Sequence, residues 1–213
     1  MSRWNFSLAA TQAKGFFGLG AGWLSILLLL AGCAGTTTLP EPTEGPAAEA
    51  RPAVDPAAQE AFQAALRRME SGQLEEAVKG FQRLTLTHPQ YRGPWLNLGI
   101  ALSRKGETEA AMKLFRDITG QHPDWAVAHH ELAILQRRAG QFIEARRSYE
   151  AAIAAQPDFA LAYRNLGLLC DLYLHDINCA LSKYEKYQTL LGSEDKEVTL
   201  WIADLKRRIA GSQ

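Results

Sequence analysis

The stretch PWLNLGIALSRKGETEAAMKLFRDITGQHP, Pro94–Pro123, decides the fold. Its first half places Trp95, Leu98 and Leu102 at helical spacing, and Gly106 follows where a helix C-terminal glycine belongs. Its second half places Ala111, Phe115 and Ile118 on one face. That run stops before Pro123, whose ring excludes helical geometry from the preceding residue. The pattern then recurs at a step of 34 residues: Gly72, Gly106 and Gly140; Ala77, Ala111 and Ala145; Phe81, Phe115 and Tyr149; Pro89, Pro123 and Pro157. In the first helix of the unit, Leu98, Leu132 and Leu166 keep the same step, as do Trp95, His129 and Tyr163, and Gly99, Ala133 and Gly167. A fixed period of this length is the mark of a repeat solenoid. Small residues at 99, 133 and 167 and at 77, 111 and 145 let paired helices approach closely, and the aromatics fill the space to the next unit.

At these residues the chain resembles the tetratricopeptide repeat, through the period, the W-x2-L-G pattern of Trp95, Leu98 and Gly99, and the Ala, Phe and Pro positions. The resemblance spans units 58–91, 92–125, 126–159 and 160–193. It implies an all-α, right-handed solenoid of about four helix pairs. Unit one departs in carrying Ala61 and Ala64 where larger residues are usual. Unit four has no turn glycine and no closing proline, and its Ala180, Tyr184 and Tyr187 keep register only with one residue inserted after Cys170. The segment 194–213 reads as a capping helix, with Val198, Trp201 or Ile202, Leu205 and Ile209 as its stripe. Acidic residues open it and Lys206-Arg207-Arg208 close it, favourably for the helix dipole.

The resemblance also implies a concave groove lined by the first helix of each pair, taking an extended peptide or a partner helix. Carried onto this chain, the facing positions are Leu96, Asn97, Ile100, Ser103 and Arg104; His130, Glu131, Ile134, Arg137 and Arg138; and Arg164, Asn165 and Leu168. Asn side chains can pair with a ligand's backbone, and the arginines favour an acidic segment or a terminal carboxylate. A solvated helix face with routine charges is the alternative for each of these residues.

Upstream, Gly15–Gly32 carries no charge and is about long enough to span a bilayer. Its most apolar block, Leu24–Leu30, is short, small residues follow, and no basic stop-transfer cluster comes after it, which favours a signal peptide over 1–32. Leu30-Ala31-Gly32-Cys33 resembles the bacterial lipobox. That resemblance implies cleavage before Cys33 and lipid on its thiol. Ala34, where an Asp would retain the protein in the inner membrane, implies an outer-membrane anchor with the domain facing the periplasm. An uncleaved anchor with an idle cysteine is the alternative. Residues 33–57 hold five of the nine prolines (Pro40, Pro42, Pro46, Pro52, Pro56) and almost no large apolar side chain. They read as a disordered, extended tether reaching up to roughly 70 Å.

Cys170 and Cys179 flank the irregular turn of unit four. In the oxidising compartment that the lipobox implies they are a candidate disulfide; two small buried hydrophobes are the alternative. Removing residues 1–32 takes away Arg3 and Lys14, leaving 21 Lys and Arg against 23 Asp and Glu, so there is no basic field for nucleic acid. His88 and His122 lie one period apart and report the repeat. His129 occupies the position of Trp95 and Tyr163 and reads as a packed residue, while adjacent His129 and His130 point too far apart to share a metal. No HExxH, P-loop or G-x-S-x-G pattern is present, so no catalytic residue, metal or cofactor is expected. The expectation is a protein-binding scaffold or adaptor for an envelope machine, resembling in layout the pilotin lipoproteins of type IV pili. Self-association into a homo-oligomer is one alternative. Another is an accessory binding peptidoglycan, which would want an aromatic platform; the tryptophans instead fall at a repeat core position (Trp95), a junction (Trp125) and the terminal helix (Trp201).

Overall fold

The computed structural model describes residues 55–211; the signal segment 1–32, Cys33 and the tether up to residue 54 lie outside the described residues. Among the described residues there are nine helices and no strand: α1 (Pro56–Glu70), α2 (Leu74–Thr87), α3 (Arg92–Lys105), α4 (Thr108–Gln121), α5 (Ala126–Arg138), α6 (Phe142–Ala155), α7 (Ala160–Leu172), α8 (Ile177–Leu191) and α9 (Lys196–Ala210). Consecutive helices pack on one another throughout. The odd helices α1, α3, α5 and α7 also touch in series, whereas no even helix touches another even one. A stack whose odd layer is tight and whose even layer is splayed curves toward the odd layer, which is therefore concave. α9 lies against α8 and buries Val198 and Leu205, with Trp201 tilted on Tyr184 at 5.3 Å. Among the described residues no helix is long and apolar enough to cross a membrane.

The start of the solenoid corrects the tether boundary. Pro56 and Ala57, placed in the tether by composition, belong to α1. Asp55 caps that helix by accepting the Ala57 N–H at 3.0 Å, and Pro56 fills the first turn, where its missing N–H costs nothing. Asp55 also meets His88 Nε2 at 3.3 Å, and its own N–H donates to the Tyr91 hydroxyl at 3.2 Å, tying the start of repeat one to its end.

Each pair is filled by one buried aromatic from its second helix: Phe81, Phe115, Tyr149 and Tyr184, all at most 1% exposed. Burial of each is worth roughly 1.5–3 kcal/mol. Gly99 and Gly167 are what admit two of these rings. A Cβ on Gly99 would lie 2.4 Å from Phe115, and one on Gly167 would lie 2.6 Å from Tyr184. The position-four residues have a common role too. Trp95 Nε1 donates to the Pro89 carbonyl at 2.9 Å and the Tyr163 hydroxyl to the Pro157 carbonyl at 3.2 Å. His129 Nε2 meets the Pro123 carbonyl at 3.1 Å, and since a carbonyl only accepts, that nitrogen carries the proton. A polar-tipped ring at this place thus pins the first helix of repeats two, three and four to the turn before it.

The glycine turns of repeats one to three share one geometry. Gly72, Gly106 and Gly140 take φ of 80°, 93° and 77°, and the N–H of the next residue reaches back five residues, from Gln73 to Arg68, Glu107 to Leu102 and Gln141 to Gln136. In repeat four the corresponding bond runs six residues, from Asp176 to Cys170, which is the inserted residue seen in the backbone. His175 takes the left-handed conformation there, at φ 51°, alone among the described non-glycine residues. Cys170 and Cys179 are joined as a disulfide across this turn, with Cα atoms 5.9 Å apart.

A candidate protein-binding groove

On the odd helices, buried residues such as Leu98, Ala101 and Leu102 face the even layer. Ile100 stands roughly 200° around the helix from Leu98 and is left partly exposed on the concave side. The same position in each repeat gives Leu66, Ile100, Ile134 and Leu168, one aliphatic side chain per odd helix, all half-buried against the core. Phe62 and Leu96 flank this row in the first two repeats. The floor of the groove is therefore an apolar ladder with one rung per repeat. Leu66 and Phe62 escape the sequence reading because the alanines of repeat one mark it as an end unit, although a step of 34 back from Ile100 reaches Leu66.

The polar residues expected in the groove divide into free and engaged. Arg104 and Arg138 are exposed, sit one repeat apart, and enter no ion pair among the described residues. Arg164 is engaged. It bonds Glu197 at 3.1 Å and lies over the Trp201 ring at 5.1 Å, locking α9 to α7. Arg137 lies over Tyr173, 5.8 Å from the ring centroid. Its Nε and the Tyr149 hydroxyl are both buried, and among the described residues neither has a hydrogen-bond partner of good geometry. Burial pushes the Tyr149 phenol up, opposed by this guanidinium. Asn97 donates to the Gly93 carbonyl of its own helix at 2.9 Å, and Glu131 sits 3.6 Å from His130.

His130 is a correction. It is not a groove residue in this structure, being 5% exposed, packed on Phe159 at 5.0 Å and on Tyr149 at 5.7 Å, and bonded to Asn165 at 2.7 Å. The cause is the next repeat: Phe159 and Asn165 arrive from one period further on and close over the ring. His130 and Asn165 hold repeats three and four together, which removes the Asn165 amide from free use. Among the described residues no cluster of three His, Cys, Asp or Glu side chains could hold a metal. What the groove offers is an apolar floor, two unpaired cations and the part-exposed Glu131. That arrangement suits contact with another chain.

Family models of the tetratricopeptide repeat match residues 68–135 and 130–171. The chain carries tetratricopeptide repeats. Solved structures with the same fold include MamA from Desulfovibrio magneticus RS-1, with 22% identity over 74% of this chain and 88% of that one and a TM-score of 0.61. A thermophilic tetratricopeptide-repeat protein from Thermus thermophilus has 20% identity over 70% and 80%, with a TM-score of 0.59. PilF from Pseudomonas aeruginosa has 19% identity over 73% and 70%, with a TM-score of 0.63. At these identities the likeness is one of fold. No curated protein matches the chain by sequence. Tetratricopeptide repeats are protein-interaction scaffolds.

Proposed function

We propose that this protein is a lipid-anchored adaptor of the bacterial cell envelope that holds a segment of another envelope protein in its concave groove. The observation that carries the binding reading is the ladder Leu66, Ile100, Ile134 and Leu168, since four half-exposed aliphatic side chains in register form a continuous apolar seat on one curved face. Arg104 and Arg138, unpaired at its margin, favour a partner segment bearing carboxylates. The anchor rests on the lipobox-like Leu30-Ala31-Gly32-Cys33, and the outer-membrane destination on Ala34. Residues 34–54 then serve as the spacer, and an assembly step of a pilus, a secretion system or a cell-wall enzyme complex is the setting such a layout suits.

Cross-linking in cells followed by purification from membranes tests the reading. A single heterologous envelope protein is expected, lost from Ile100→Glu/Ile134→Glu and weakened in Arg104→Glu/Arg138→Glu, with helicity unchanged. Concentration-dependent homodimers with no other partner would overturn the adaptor in favour of self-association. A Cys33→Ala chain that still fractionates with the outer membrane would defeat the anchor.

A further inference from the structure

Two tryptophans 30 positions apart in sequence meet in one cleft outside the groove. Trp95 of α3 and Trp125 at the repeat junction line a cavity of about 320 Å³ at the end of repeat two, walled by the Pro89-Gln90 turn and the last turns of α4. Its polar lining includes the Gln90 and Gln121 carboxamides, Asp117 and His122. The volume lies at the lower end of small-molecule sites, roughly 300–1,000 Å³.

Comparison with the neighbouring repeats separates what the fold requires from what it does not. The turn-pinning bond made by Trp95 is made equally by His129 and Tyr163, and repeat one does without it at Ala61, so the fold does not require an indole there. One repeat earlier, a cleft at the same place is lined by Ala61, Gly80, Arg83 and Thr87, where repeat two has Trp95, Leu114, Asp117 and Gln121. One repeat later those positions are His129, Ser148, Ala151 and Ala155. Repeat two alone combines two indoles with two carboxamides and a carboxylate.

We infer that this cleft is a binding site for a short, neutral oligosaccharide. The Trp95 indole offers a face against which the C–H face of a pyranose ring packs, burying apolar area with a fixed orientation, and Trp125, under the Arg92 guanidinium at 5.3 Å, forms the wall beside it. The side chains of Gln90 and Gln121 form no hydrogen bond among the described residues, and each offers a donor beside an acceptor, as a sugar hydroxyl needs. Neutrality follows from the charges: Arg92 is held by Asp124 at 3.1 Å and lies over Trp125, and Asp117 is held by Lys113 at 2.8 Å. A proline-rich peptide is the poorer fit. It brings carbonyl acceptors but few donors, and it needs an open run of aromatic ridges where this cleft is stopped by the Pro89-Gln90 turn.

The test is calorimetric titration of the full-length protein, in a detergent without a sugar headgroup, with cellotetraose, N-acetylchitotetraose and decaproline. Saturable binding of at least one saccharide is expected. Trp95→His keeps the donor that repeat three uses and removes the indole; it should weaken binding about tenfold with thermal stability near that of the parent. Gln121→Ala, at an exposed position, should weaken it several-fold without unfolding the chain, so that a poorly folded Trp95 variant would not leave the question open. No binding of either saccharide, undiminished binding in both variants, or binding of decaproline alone would each overturn the inference.

Discussion

The turn inside repeat three and the turn inside repeat four do the same mechanical work with different parts. Repeat three turns on Gly140 at φ 77°, and the first residue after it, Gln141, makes no side-chain cap to α6. Repeat four turns on His175 at φ 51°, one residue longer, and follows it with Asp176, whose carboxylate accepts the Cys179 N–H at 3.0 Å. A left-handed residue with a Cβ costs roughly 1–2 kcal/mol that glycine does not. The aspartate cap offsets about 1 kcal/mol, and the disulfide adds constraint by closing a short loop in the unfolded chain. The lesson is that a solenoid turn is specified by its backbone path, and glycine is only the least costly way to write it.

The largest way to break the comparison is to remove the bridge. Cys170→Ala/Cys179→Ala should lower stability by about 2–3 kcal/mol from loop closure alone. For a domain of this size that is a fall in Tm of about 5–10 °C. Thermal melts followed by circular dichroism check this, and the parent reduced under denaturing conditions and refolded with reductant should melt with the variant. Hydrogen exchange should quicken at the α7–α8 turn and remain unchanged at the α3–α4 turn. A melt within about 1 °C of the parent would mean that the capped turn stands unaided.

Next comes the glycine side of the comparison. Gly106→Ala and Gly140→Ala meet open space, so any loss arises from φ alone, about 1 kcal/mol each. Gly120 supplies the control: it lies within α4, also faces open space, and has no positive φ. Gly120→Ala should therefore stabilise by about 0.5–1 kcal/mol. Urea denaturation of the three variants would show opposite signs; a shared sign would refute the conformational account.

Much of this architecture is legible in the sequence, because repetition multiplies weak signals. The step of 34 locates the four pairs and exposes the inserted residue after Cys170. What escapes is whatever joins one repeat to the next. His130 reads as a groove residue from its place within the unit and is buried by Phe159 and Asn165 from the following unit. Arg164 reads as a free cation and is spent on Glu197 and Trp201 of α9. Period arithmetic reports equivalence between repeats and says nothing of contact between them. The left-handed histidine escapes for another reason: no composition signal marks a strained residue whose neighbours hold it in place. The Trp95–Trp125 cleft is hidden likewise, since its walls come from the end of one unit and from both ends of the next.

Two smaller substitutions sharpen the same contrast. Asp176→Gln gives repeat four the residue repeat three uses, and should cost about 1 kcal/mol through the lost cap. The Arg146 contact it also removes is part-exposed and adds little. His175→Gly should act oppositely. It relieves the left-handed penalty but adds the extra chain entropy of glycine, for a net gain of about 0.5 kcal/mol. The informative measurement is this gain in two backgrounds, with the bridge present and with both cysteines replaced by alanine. If the disulfide acts only on the unfolded chain, the strain at His175 belongs to the turn itself and the gain is equal in both. If instead the gain vanishes without the bridge, the bridge is what forces His175 into the left-handed region, and the two features are one device.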